Sequence, residues 1–316
     1  SKKNKMYIKQ VIRNRENWWY YIFGIVLIVP AMTFIFSIPH GVAIAIKAFG
    51  DEELTKKLAE NDINAMMTIL ESNLNLFLML FSFLGMLLGV FLTVKFIHKN
   101  SIRELTTSRP RIDWNRVFFS FLLCGSVSVI MIGIDYNFIS TADYAWNFKP
   151  IPFLILFLIC IVMIPIQTSA EEYLFRGYLM QGIGVITKVR WAPLLLTSIL
   201  FGLMHYANPE IDKLGYGVYV FYIGSGLFAG IATLMDEGME LALGWHAANN
   251  FFTALLVTAD WTALQTHSVL KDISNPESLP LEEVLIPVLI FFPIYLYIFA
   301  KKYQWNNWSE KLFGKI

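Results

Sequence analysis

The chain has 316 residues, 56% hydrophobic and only 16% charged, against roughly 45–50% and 25% in ordinary soluble chains, which excludes a simple soluble globule. A formal charge of +1 excludes the basic field that neutralising several nucleic-acid phosphates would need. Cys124 and Cys160 sit in apolar runs without a CxxC pair, so neither a disulfide framework nor a thiolate metal site is available.

A membrane span needs ~20 mostly apolar residues, because ~30 Å of hydrocarbon is crossed at 1.5 Å per residue. Helix is the only open-ended element that satisfies its own backbone in lipid. In chain order the pattern predicts helices at about 18–38, 75–97, 116–135, 152–182, 190–207, 215–235, 238–258 and 284–301. The expected fold is an all-α polytopic membrane protein, a bundle of about eight transmembrane helices forming one domain over 1–316. The first segment is too long for a signal-peptide core and lacks a small-residue cleavage site, so it is expected to stay in the mature chain.

The connection at 39–74 is long, and its scattered Leu54, Leu58, Ile63, Met66, Met67 and Leu70 predict a helix lying along the surface. Ser101 and Glu104 have the spacing of a capping box, which starts a short helix. Gly85/Gly89 and Gly226/Gly230 have GxxxG spacing, which permits close helix approach and is assigned to packing inside the bundle. The sequence leaves the oligomeric state open.

Lys and Arg in the connections set the orientation. Eighteen of the 25 fall in the N-terminal tail (Lys2, Lys3, Lys5, Lys9, Arg13, Arg15), the second and fourth connections and the C-terminus. Six lie in the alternate connections, and Arg176 alone is embedded in a span. Both termini are therefore expected in the cytoplasm, with 39–74 outside, in a multi-pass plasma-membrane protein whose Lys, Asn, Ile and Phe usage leans bacterial.

An ionised group at mid-membrane costs at least ~2.5–3.5 kcal/mol on insertion scales, so each one inside a span requires a reason. Glu171, Glu172 and Arg176 lie in the fourth segment, His205 in the fifth, and His246 and Asn250 in the seventh. Glu172 and Arg176 are spaced to pair along one helix face, while Glu171 is turned ~100° away and left free. Counted from the expected cytoplasmic ends, Glu171, His205, His246 and Asn250 lie ~12–23 Å deep, so they can meet in one layer. Pro165 would free a carbonyl and bend the fourth helix.

One carboxylate, two imidazoles and a carboxamide suit activation of water and stabilisation of an oxyanion, with amide hydrolysis as the natural reaction. In this reading Glu171 activates the water, His205 orients it, and His246 and Asn250 hold the carbonyl oxygen. A zinc site on Glu171, His205 and His246 is the alternative. No HExxH is present, and metal-free chemistry without a cofactor is the first reading.

Glu171-Glu172-Tyr-Leu-Phe-Arg176-Gly177, Phe201-Gly-Leu-Met-His205 and His246-Ala-Ala-Asn-Asn250 together resemble the ordered motifs of the CPBP family of intramembrane proteases, the CAAX proteases and bacteriocin-processing enzymes also called Abi proteins. The resemblance covers a catalytic core at 152–258. It implies a helical bundle with an intramembrane cavity open toward the cytoplasm. It also implies a glutamic endopeptidase in which Glu171 is the base, His205 its partner, His246 and Asn250 the oxyanion stabilisers, and Glu172, Arg176 and Phe201 the support. The expected partners are the bilayer and a peptide or membrane-tethered protein substrate. A non-catalytic scaffold or bacteriocin-immunity protein of the same family is the alternative. A proton-coupled transporter would show inverted repeats or paired broken helices, and neither is seen.

Overall fold

The computed structural model describes residues 6–12, 16–278 and 281–316; Lys2, Lys3, Lys5, Arg13 and Arg15, five of the basic residues counted toward orientation, lie outside them. Among the described residues six helices are long and apolar enough to cross a membrane: α1 (Trp18–Ala48), α4 (Ser72–Ile97), α6 (Trp114–Ile139), α7 (Pro150–Thr187), α10 (Val218–Asp236) and α12 (Leu281–Lys302). Between them lie α2 (Glu52–Ala59), α3 (Ile63–Thr68), α5 (Ile102–Thr106), α8 (Trp191–Leu203), α9 (Pro209–Leu214) and α11 (Glu240–Leu256), and α13 (Trp308–Phe313) follows α12. The molecule is mostly helical, consistent with a polytopic membrane protein.

Several boundaries differ from expectation for physical reasons. α1 runs ten residues beyond 38, through Pro39, because the apolar pattern continues on the far side of the proline. The connection that follows is correspondingly shorter, and its surface helix is two short ones, capped by Asp51 and Asp62 on the N–H groups of Leu54 and Ala65. α7 continues past 182 to Thr187. The glycines there serve close packing: a Cβ on Gly182 would collide with Tyr21, and one on Gly184 with Ile8.

The fifth and seventh expected spans are short, with 13 residues in α8 and 17 in α11. α8 is thus ~20 Å long. α11 is interior: Leu241, Ala242 and Ala248 are fully buried. Its close partner is α6, where a side chain on Gly244 would strike the carbonyl of Val117 and the Ser120 side chain. Both GxxxG pairs face inward, Gly85 and Gly89 against Met32 of α1, Gly226 and Gly230 against Ser198 and Leu194 of α8.

A correction to the all-α expectation is a small sheet of β1 (Tyr144–Trp146), β2 (Val257–Thr258) and β3 (Leu270–Asp272), in the order β1-β3-β2. β3 pairs antiparallel to β1 and parallel to β2. Such short strands leave no clear alternation in sequence, and the pairing ties the loops before α7 and after α11 together. At the basic end of the bundle Ser101 Oγ accepts the Glu104 N–H at 3.1 Å, starting α5 as its spacing predicts. Tyr7, Ile8 and Val11 are buried beneath α7, with the Tyr7 hydroxyl 3.0 Å from the Arg176 carbonyl.

Candidate active site

The polar residues picked out in the apolar segments are held mainly by α7 and α11. α7 continues as a helix through Pro165; Thr168, one turn later, turns its hydroxyl back to the Ile164 carbonyl at 3.0 Å. Immediately after Glu171 and Glu172 the helix widens into a π-helical turn over Tyr173–Leu179. Insertions of this kind recur at functional sites, and this one carries Arg176.

Glu172 and Arg176 are both fully buried, with Arg176 Nε 3.4 Å from Glu172 Oε2. The pair alone does not satisfy the guanidinium, whose three nitrogens have no hydrogen-bond partner among the described residues. Its carbon lies 4.2 Å from the Phe201 ring centroid, so a π face compensates part of the desolvated charge. Phe201 therefore contributes an electrostatic surface as well as bulk.

His246 faces both acids. Its Nδ1 is 2.7 Å from Glu172 Oε1, and its Nε2 is 3.5 Å from Glu171 Oε2. An ionised carboxylate only accepts, so Nδ1 carries the proton donated to Glu172. The second nitrogen is thereby aimed at Glu171, just beyond direct hydrogen-bond range. Glu171 keeps 16% of its side chain exposed, against none for Glu172, which makes it the accessible acid of the pair.

His205 is the main departure from expectation. α8 ends at Leu203, so His205 sits in the turn beyond the helix rather than on its face. The turn still bonds it to Phe201, whose carbonyl is 2.7 Å from His205 Nδ1. Tyr222 of α10 stacks on the imidazole with ring centroids 4.1 Å apart and planes 14° from parallel. Phe201 lies edge-on between the two histidines, 4.9 Å from the His205 ring and 6.1 Å from that of His246.

Asn250 makes no hydrogen bond to Glu171. Its Nδ2 donates to Gln167 Oε1 at 3.0 Å, and Gln167 Nε2 approaches Glu171 Oε1 at 3.4 Å. Sequence reasoning missed Gln167 and Tyr222. A signal for the first was present, a lone amide one helical turn before Glu171 in an apolar run; Tyr222 carried none, since aromatic residues fill every segment. The zinc set Glu171, His205 and His246 is not assembled: no three His, Cys, Asp or Glu side chains gather as metal ligands among the described residues.

Residues 150–252 match the family described as "Type II CAAX prenyl endopeptidase Rce1-like". These residues are similar to that family's domain. The match begins with α7, ends within α11, and so encloses all the residues described above. A relative in Bacillus subtilis (strain 168), "Uncharacterized protein YyaK", is 35% identical over 173 residues, or 54% of this chain and 57% of the relative. The aligned part thus spans little more than half of that relative's length. No solved structure matches.

Proposed function

We propose that the protein is an intramembrane endopeptidase that cleaves a peptide or membrane-tethered protein with water activated by Glu171. The observation that carries this reading is His246 set between two carboxylates, oriented by the buried Glu172 and facing the accessible Glu171. Glu171 takes a proton from the attacking water and returns it to the leaving amine. His205, with Nδ1 donated to the Phe201 carbonyl, presents Nε2 as an acceptor that orients the water.

Asn250 stabilises the tetrahedral oxyanion by exchanging its bond to Gln167 for the substrate oxygen, and His246 joins it as a donor through Nε2 in the form that carries a proton on both ring nitrogens. Preorganised donors of this kind are commonly a large electrostatic term in acyl transfer. The Glu172–Arg176 pair and the Phe201 face fix the orientation of the motif helix. The basic connections, and with them both termini, are placed in the cytoplasm, in keeping with the positive-inside rule.

The test uses protein reconstituted in liposomes with quenched fluorescent peptides ending in a CAAX sequence, prenylated and unprenylated. The expected result is cleavage by the wild type, unchanged by a strong chelator, and none by a folded Glu171→Ala variant. Wild-type turnover by that variant would overturn the mechanism, and loss on chelation restored by added zinc would replace it with metal chemistry. Proteomics comparing cells expressing the two forms would then identify substrates.

A further inference from the structure

A cavity of about 1000 Å³ lies at the end of the bundle that carries the basic connections, between the starts of α6 and α8, the turn from α10 to α11, and the segment joining α12 to α13. None of Glu171, His205 and His246 lines it. Its walls carry Arg103, Arg109, Arg116, Arg190 and Lys311 against Asp236, Glu237 and Glu310, with Glu240 3.8 Å from Arg109 and Asp113 3.0 Å from Arg116.

Much of the wall is already built. Asp236 accepts from Arg109 Nη2 at 2.6 Å and Trp305 Nε1 at 3.0 Å, and from Arg116. Arg190 Nη2 donates to Glu237 Oε1 at 2.7 Å, and the Arg116 guanidinium lies 3.9 Å over the Tyr303 ring. Arg103 and Lys311 are different, because their partners are neutral. Arg103 Nη1 donates to Gln10 Oε1 and to the carbonyls of Thr107 and Arg109, and Lys311 Nζ donates to the Met235 carbonyl at 3.2 Å. Neither has an ion pair among the described residues. Their charge is fixed in place without being neutralised.

We infer that this cavity binds a phosphate-bearing anion, with Arg103 and Lys311 supplying the uncompensated charge. Guanidinium forks suit phosphate oxygens. The cavity's rim also contains Trp305, followed by Trp308 and preceded by Lys301 and Lys302, the composition of a membrane interface, where lipid phosphates lie. The turn through Asp236 and Glu237 leads directly into α11, so an occupant touches the chain shortly before His246.

The test compares wild type with Arg103→Gln/Lys311→Gln, and with Lys301→Gln/Lys302→Gln as a control for charge outside the cavity. Native mass spectrometry after exchange in equimolar phosphatidylglycerol and phosphatidylcholine reads lipid retention. Thermal melting of delipidated protein with inorganic phosphate reads a soluble source. The expected result is a preference of roughly tenfold or more for phosphatidylglycerol, as two cations near an anionic surface imply, lost in the cavity variant and kept in the control. A melting increase with phosphate that the cavity variant loses would instead assign the site to a soluble phosphate. If the double variant does not fold, Lys311→Gln alone is read in the same way. Equal behaviour of wild type and cavity variant in both measurements overturns the inference.

Discussion

The imidazole of His246 is bonded through Nδ1 to Glu172 at 2.7 Å, and this bond is what turns Nε2 toward Glu171. An acid that orients a histidine sets its tautomer, and loss of such a partner costs orders of magnitude in rate even where the geometry survives. Glu172→Gln is expected to lower kcat by about 10²–10⁴-fold. It also strands Arg176, whose buried charge then lacks a counterion, at a cost of about 3–5 kcal/mol. The two effects separate in Glu172→Gln/Arg176→Met, which should recover much of the lost thermal stability but little of the rate. Recovery of both would make Glu172 a purely structural partner of the arginine.

The motif acids and His246 were legible in the sequence because a charged or titratable group in an apolar run stands out against its surroundings, and i,i+4 spacing suffices to pair Glu172 with Arg176. His205 was legible as a residue but not as a position. The apolar pattern continues past Leu203, whereas the helix stops there and the chain turns, so His205 reaches Phe201 from the turn, through the Phe201 carbonyl and an edge-on ring contact. The small sheet and the extra length of α1 and α7 depend on contacts between distant segments, such as Tyr21 on Gly182, which no local pattern records.

Phe201 presents its ring 4.2 Å from the Arg176 guanidinium carbon, in a place where none of the three nitrogens has a hydrogen bond among the described residues. Phe201→Leu keeps an apolar side chain but removes the π face. A stability loss of about 2 kcal/mol is expected, the magnitude for a desolvated cation–π contact, read by thermal or denaturant unfolding in detergent. Phe201→Tyr, which keeps the face, should lose less, and equal losses would assign the effect to shape.

Gln167 links Glu171 to Asn250 through its two amide atoms. Gln167→Leu and Asn250→Leu should each lower kcat/KM. Their double variant should fall short of the product of the two effects, with a coupling of about 0.5–3 kcal/mol, as residues of one network show. Strict additivity would mean that the two amides act independently. The same cycle with Gly85→Ala in place of Asn250→Leu, in the contact between α4 and α1, provides an additive control.

Gly244 lies two residues before His246, where α11 touches the backbone of α6 at Val117. Gly244→Ala forces the helices apart and is expected to cost about 1–3 kcal/mol, the range for overpacking. Activity per folded molecule should fall as well, since the displacement moves His246 relative to Glu171 on α7. An unchanged melting temperature would show that α6 gives way without strain.

Glu210, in the connection between α8 and α10, accepts the Ala263 N–H through Oε1 at 2.9 Å, while Oε2 is buried without a partner among the described residues. Burial holds its carboxyl above the ordinary value of 4.5, and the N–H bonds from Ala263 and from its own backbone offset only part of that rise. With the folded pKa raised, the stability contributed by the protonated group is fully present below about 4.5 and is lost as pH rises through the folded value. Glu210→Gln cannot ionise and escapes that loss. Its stability relative to the wild type should therefore increase as pH rises from below 4.5 toward neutrality and then level off, in thermal unfolding followed across that range. A difference that stays flat with pH would mean that Glu210 is ionised in the folded protein as readily as in the unfolded chain.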